Sequence, residues 1–136
     1  MTFEESHNIA PAVKHFRFRR KEGEAFAFIP GQFITLHIPT AQKVLRRSYS
    51  IANSTHQPSD QIEFAASYVP QGAASELLFG LQKGESIKAT GPFGRLILRD
   101  EQPQRYIFVA TGTGVTPYRS MLSELAERLS KRQILR

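Results

Sequence analysis

The sequence predicts a mainly β chain: a small antiparallel barrel or sandwich of about six short strands with one capping helix, then the opening strand and helix of an α/β unit. Three observations carry that expectation. Apolar and polar residues alternate with a period of two in short runs up to Leu98, and turn residues separate the runs. One stretch, Ala73 to Phe79, lacks β-branched residues and stops at Gly80, as a helix does. After Gln102-Pro103-Gln104 the alternation ends, and Tyr106-Ile107-Phe108-Val109-Ala110 is continuously apolar, as in a parallel strand covered on both faces.

Phe16 and Phe18 alternate with Arg17 and Arg19, and Phe26 and Phe28 keep the same period, so residues 1–30 read as antiparallel strands with one wet face. Pro30-Gly31 is a break, and Phe33 to Ile38 alternates again until Pro39 closes it. Further runs at Ser48 to Ala52, Gln61 to Val69, Ser86 to Thr90 and Leu96 to Leu98 complete the strand set, and the helix is expected to cap an open end. The change of character divides the chain into a domain at 1–102 and a fragment of a second at 103–136. In the fragment, Thr111-Gly112-Thr113-Gly114-Val115-Thr116 forms a loop, Thr116 is the expected N-cap, and Pro117 suits the first helical position because it lacks an N–H. Met121, Leu122, Leu125 and Leu129 make an apolar stripe, with Glu124 and Arg128, and Glu127 and Lys131, four apart on the wet side. No second parallel strand follows in this sequence. Strand and stripe therefore have little to pack against, and self-association or poor order after residue 103 is expected.

A chain of 136 residues with 40% hydrophobic and 22% charged residues has room for one full domain, not two. The absence of cysteine excludes disulfides, thiolate metal sites, cysteine nucleophiles and iron–sulfur ligation. The opening residues lack a basic stretch followed by an apolar run, and no segment approaches the roughly 20 apolar residues that span a bilayer; a soluble, cytoplasmic protein without a membrane partner is expected. The net charge of +6 suits either an acidic partner or an ordinary solvated surface. The basic cluster Lys14, Arg17, Arg19, Arg20 and Lys21 comes with no nucleic-acid-binding module, so no nucleic-acid partner is expected. His7, His15, His37 and His56 are scattered without metal-ligand spacing, and no metal site is expected.

Three motifs carry chemistry. In Arg46-Arg47-Ser48-Tyr49-Ser50 a guanidinium fits phosphate oxygens, a phenol offers a stacking face, and a hydroxyl beside it suits a ring nitrogen. Those are the needs of a flavin nucleotide, although an ordinary edge strand with exposed arginines and a packed tyrosine has the same composition. Gly72-Ala73-Ala74-Ser75 opens the capping helix, where free N–H groups and the positive end of the dipole attract phosphate; every helix has such an end. The unit Phe108 to Pro117 places two glycines in a loop that feeds a helix, which permits close approach to a pyrophosphate, but Thr116 and Pro117 stand where the third glycine of the dinucleotide fingerprint belongs.

In chain order, Pro30-Gly31-Gln32-Phe33, Arg47-Ser48-Tyr49-Ser50, Gly72-Ala73-Ala74-Ser75, Gly91-Pro92-Phe93-Gly94 and Ala110 to Pro117 together resemble the ferredoxin-NADP reductase family over nearly the whole length. The resemblance implies a six-stranded antiparallel Greek-key barrel with a capping helix that binds FAD, followed by an α/β domain for NADPH that is incomplete here. It implies that Arg47 holds the FAD pyrophosphate and that Tyr49 stacks on the isoalloxazine. Ser50, the catalytic residue in this reading, would bond near the flavin N5 where hydride arrives, and Ser48 would contribute through its backbone. Ala65 and Ser67, on the strand beside the flavin, and Gly72, Ala73, Ala74 and Ser75, along the phosphate and ribityl path, complete the flavin set. Thr113 and Thr116 would face the cofactors at the domain junction. The implied activity is electron transfer between NADPH and ferredoxin or flavodoxin through FAD. Family members continue for several more strand–helix units, so the chain is expected to be a fragment or a shortened form unable to bind NADPH properly. Alternatives are a reductase component of an oxygenase or other electron-transfer chain, and a non-catalytic flavin-binding or interaction module.

Overall fold

A computed structural model describes residues 1–54, 57–101 and 105–134. The chain opens on a hairpin in which β1 (Thr2–Ala10) runs antiparallel to β2 (Val13–Arg19), and β5 (Gln61–Ser67) pairs with the other edge of β2. The second sheet centres on β3 (Phe33–Pro39), flanked by β4 (Val44–Ser50) and β6 (Lys88–Phe93). Six strands therefore form two antiparallel sheets, in the orders β1-β2-β5 and β4-β3-β6.

The period of two explains the core. Phe16 and Phe18 on β2 and Phe64 on β5 point inward and are fully buried, with Phe64 stacked on Phe16 at 5.5 Å and on Phe18 at 5.4 Å. Ile34, Leu36 and Ile38 meet them from β3, while Thr35 and His37 face outward. Burying each such side chain contributes about 1.5–3 kcal/mol. Backbone bonds stitch both seams between the sheets. At one, Phe3 N–H donates to Glu85 O and Ile87 N–H to Met1 O; at the other, Ala52 N–H donates to Glu63 O. Asn53 extends the second seam: its side-chain amide donates to Gln61 O and accepts Glu63 N–H, both at 2.9 Å, so a side chain does the work of another strand residue.

Helix α1 (Ala73–Gly80) lies across the core with Ala73, Ala74, Leu77 and Leu78 against it, as the sequence leads one to expect of a cap. Helix α2 (Thr116–Ile134) corrects the expectation of an unsupported element. Ser120 Oγ accepts Gly31 N–H at 2.9 Å, Met121 and Leu125 are buried, and Arg128 donates to Arg99 O at 2.6 Å. Gly31 makes that approach possible. Its φ is +99°, and a Cβ there would stand 1.8 Å from Leu96 O and 2.5 Å from Met121 Cε. Leu122 and Leu129 remain exposed, so only half of the expected stripe is used.

Other expectations change as well. Thr116 is not an N-cap: a 3-10 turn at Gly112–Val115 runs directly into α2, Thr116 is already helical at φ −54° and ψ −50°, and its N–H donates to Thr113 O. Tyr106 to Ala110 forms no ladder, because among the described residues no strand lies beside it. It is held by side chains instead, with Phe108 against Tyr118 at 4.7 Å and the Tyr118 hydroxyl donating to Val109 O at 3.2 Å. Leu96 to Leu98 is not a strand, and Phe26 makes a single bridge to Ser59. The expected domain boundary at 102–103 and His56 lie outside the described residues. No helix among the described residues is long and apolar enough to cross a membrane.

Candidate functional site

Strand β4 is where the pattern breaks. Its register sets Leu45 opposite Ile38, Arg47 opposite Leu36 and Tyr49 opposite Ile34, and opposed residues share a face of the sheet. Arg47 thus occupies a core-facing position, across from a fully buried leucine, yet it is exposed. Its guanidinium donates only to the neighbouring Arg46 carbonyl, at 2.9 Å, and among the described residues it has no carboxylate partner. The core face of β4 is therefore open to solvent at this point, since a covered arginine would need a counter-charge. Beside it, Tyr49 is half-buried against Phe64, ring centroids 4.9 Å apart. Burial raises the Tyr49 phenol above its ordinary pKa, with the Arg47 charge opposing, so the hydroxyl stays protonated. Ser48 and Ser50 point to the other face, where the Ser48 hydroxyl bonds Thr35 at 3.2 Å.

The start of α1 supplies backbone donors. Gly72 is the N-cap in extended conformation and no side chain caps the helix, which leaves the N–H groups of Ala73, Ala74 and Ser75 without the partners that a capping residue gives. Ser75 is buried and cannot turn back to cap, because its hydroxyl accepts Val69 N–H at 2.9 Å and holds the preceding turn. A phosphate fits such an end.

Ala65 and Ser67 take a different position from Tyr49. They alternate with Phe64 and Ala66 and so lie on the outer face of β5, where Ser67 is exposed. Ala65 instead shares a cavity of about 270 Å³ with Ala52, Thr116, His15 and Arg119. Ser50 ends β4, two residues before the Ala52 that lines this cavity. Thr113 is half-buried in the turn beyond, and a Cβ on Gly112 would meet nothing within 4 Å, so open space lies over that glycine.

Sequence reasoning missed the charge cluster under this second group. Glu63 is buried on β5, with His15 Nε2 at 3.1 Å and Arg119 Nη1 at 3.2 Å from Oε2. Arg17 Nε lies 3.4 Å from Oε1, close enough for attraction but not aligned for a hydrogen bond. The His15 bond, with help from Arg119 and against burial, holds the Glu63 carboxyl below the usual carboxylate range. No local signal marks this set, because its members come from β2, β5 and α2 and meet only through tertiary packing.

Comparison with known proteins bears on these positions. Residues 1–97 match the family model described as the oxidoreductase FAD-binding domain. The chain is 41% identical over 114 residues to ferredoxin–NADP reductase B of Sorangium cellulosum, an alignment spanning 84% of this chain and 46% of that protein. It is 35% identical over 125 residues to the terephthalate 1,2-dioxygenase reductase component 1 of Comamonas sp., spanning 92% of this chain and 36% of that protein. Among solved structures, the Amycolatopsis cytochrome P450 reductase GcoB superposes with a TM-score of 0.82 at 29% identity, covering 93% of this chain and 38% of that one. The chain thus spans less than half the length of these relatives.

Proposed function

The chain belongs to the oxidoreductase FAD-binding domain family, and we propose that it holds FAD between β4 and the start of α1 as the flavin-binding part of a cytoplasmic reductase that moves electrons between NADPH and ferredoxin or flavodoxin. The observation that carries this reading is Arg47: a core-facing arginine, exposed and, among the described residues, without a carboxylate, on the same strand face as a half-buried tyrosine. In this reading Arg47 and the N–H groups of Ala73, Ala74 and Ser75 neutralise the pyrophosphate, with Gly72 leaving the approach open. Tyr49 covers one face of the ring and excludes water from it; Ser50, facing the other side of the sheet as the last residue of β4, offers its hydroxyl to a ring nitrogen that extends past the strand end, and Ser48 contributes its backbone. Ala65 and Ser67 line the strand alongside. Bound there, FAD supplies hydride acceptance and single-electron release, which no side chain of this chain can provide. Thr113 and Thr116 stand where a nicotinamide would approach, and NADPH binding belongs to the longer reductase.

A second reading, a reductase component of an oxygenase, is supported by the likeness to the Comamonas protein; it uses the same flavin site and differs in the electron acceptor. The exposed Ile107, Val109, Leu122 and Leu129 support self-association of this chain through its C-terminal part. Reconstitution tests the central reading. The purified chain, offered FAD and FMN separately, is expected to retain FAD at equimolar ratio and turn yellow; a chain that stays colourless at saturating FAD would refute the proposal.

A further inference from the structure

A row of basic side chains crosses the outer face of sheet β4-β3-β6. The register sets Arg46 opposite His37 and His37 opposite Lys88, so the three share one face on adjacent strands. Arg46 and Lys88, two strand spacings or on the order of 10 Å apart, can both reach one phosphate or diphosphate. None of the strands β3, β4 and β6 carries an acidic residue. The contrast with the other sheet is sharp, because there Arg17 is paired with Glu5, and Arg19 with Glu4 and Asp60. Among the described residues neither Arg46 nor Lys88 has a carboxylate partner, and the nearby Glu85 accepts Gln82 N–H at 2.7 Å. His37 is fixed in place by the Thr90 hydroxyl at 3.1 Å. Two exposed cations without a carboxylate partner on one sheet face give it a positive potential that suits an anionic ligand.

The row borders a cavity of about 550 Å³ that also includes Leu77, Ile87 and Ser86. That size falls within the range of about 300–1,000 Å³ typical of small-molecule sites. Leu77 and Ile87 belong to the apolar core and its margin, so the cavity has an apolar floor between charged walls. Leu77 lies one helical turn along α1 from Ala73, on the same face. An acidic protein surface would meet the tips of the cations and leave this floor uncovered. A small organic anion fills both.

We propose that this cavity binds a nucleoside phosphate, with Arg46 and Lys88 on the phosphate oxygens and the organic part against Leu77 and Ile87. The proposal stands on the row and the cavity and does not require the flavin reading. The nucleotide is a ligand separate from FAD.

ADP is the probe. Added to the flavin-free chain, it is expected to shift the backbone amides of residues 37, 46 and 86–88. The Arg46→Gln/Lys88→Gln double variant is expected to bind ADP about tenfold more weakly or worse, with the amides of buried β3 residues unmoved. The titration is repeated on FAD-saturated chain: shifts that persist support a nucleotide separate from FAD, and shifts that vanish would overturn the proposal. ADP shifts confined to residues 47 and 73–75, or unchanged ADP affinity in the double variant, would overturn the proposal. A chain that binds ADP in the row but never FAD would defeat the flavin reading and leave this site standing. Tight FAD binding with no ADP response in the row would do the reverse.

Discussion

Arg119 on α2 reaches Glu63 on β5 at 3.2 Å, and that carboxylate is also held by His15 at 3.1 Å. The pair links the helix after the glycine turn to the strand proposed to run beside the flavin. Glu63 is buried and Arg119 is 41% exposed, so the carboxylate, not the guanidinium, is the costly partner to disturb.

Replacing Glu63 with Gln is therefore expected to lower stability by about 1–3 kcal/mol, because His15, Arg17 and Arg119 lose the carboxylate they share. Urea unfolding measures the loss. Amide exchange across residues 116–125 should rise in the same variant, and unchanged exchange there would mean that α2 does not depend on this contact.

The same carboxylate sets an acid limb. Its folded pKa is depressed, first by the His15 hydrogen bond, so its stabilising contribution is complete above the unfolded value of about 4.3 and is lost as pH falls through the lower folded value. Unfolding followed from pH 6 downward, roughly the range spanning carboxylate titration, is expected to show a shallower decline in Glu63→Gln than in the unaltered chain. Parallel declines would remove Glu63 from the account of acid stability.

Gly31→Ala tests the seat of α2. Positive φ and the projected overlap with Leu96 and Met121 predict a loss of about 2–3 kcal/mol in urea unfolding, with α2 protection falling first. A variant as stable as the unaltered chain would show that the helix can move off Gly31 freely.

What the sequence revealed and what it concealed follow from the range of the interactions. Helix α1 was legible to within a residue, since Ala73 to Phe79 and Gly80 carry local propensity and a stop. Phe33 to Ile38 was legible because one face is buried and the other wet. The Arg47-Ser48-Tyr49-Ser50 motif and the α1 start were readable as candidates, but the placement of Arg47 on the core side of β4 comes from pairing with Leu36 and needed the register. Tyr106 to Ala110 misled because continuous hydrophobicity signals a strand only where neighbours exist to pair with it. Thr116 misled because a 3-10 turn already occupies the position where capping was sought. The seat of α2, the Glu63 cluster and the Arg46–His37–Lys88 row were invisible, since each joins residues distant in sequence.

The most direct measurement is FAD affinity of the isolated chain beside its Arg47→Ala variant, read from flavin fluorescence during titration. The account predicts saturable equimolar binding that weakens about tenfold or more when the guanidinium is removed, with the fold intact because Arg47 is exposed and bonds only to the Arg46 carbonyl. FAD binding that is absent from the unaltered chain, or equally tight in the variant, would contradict it.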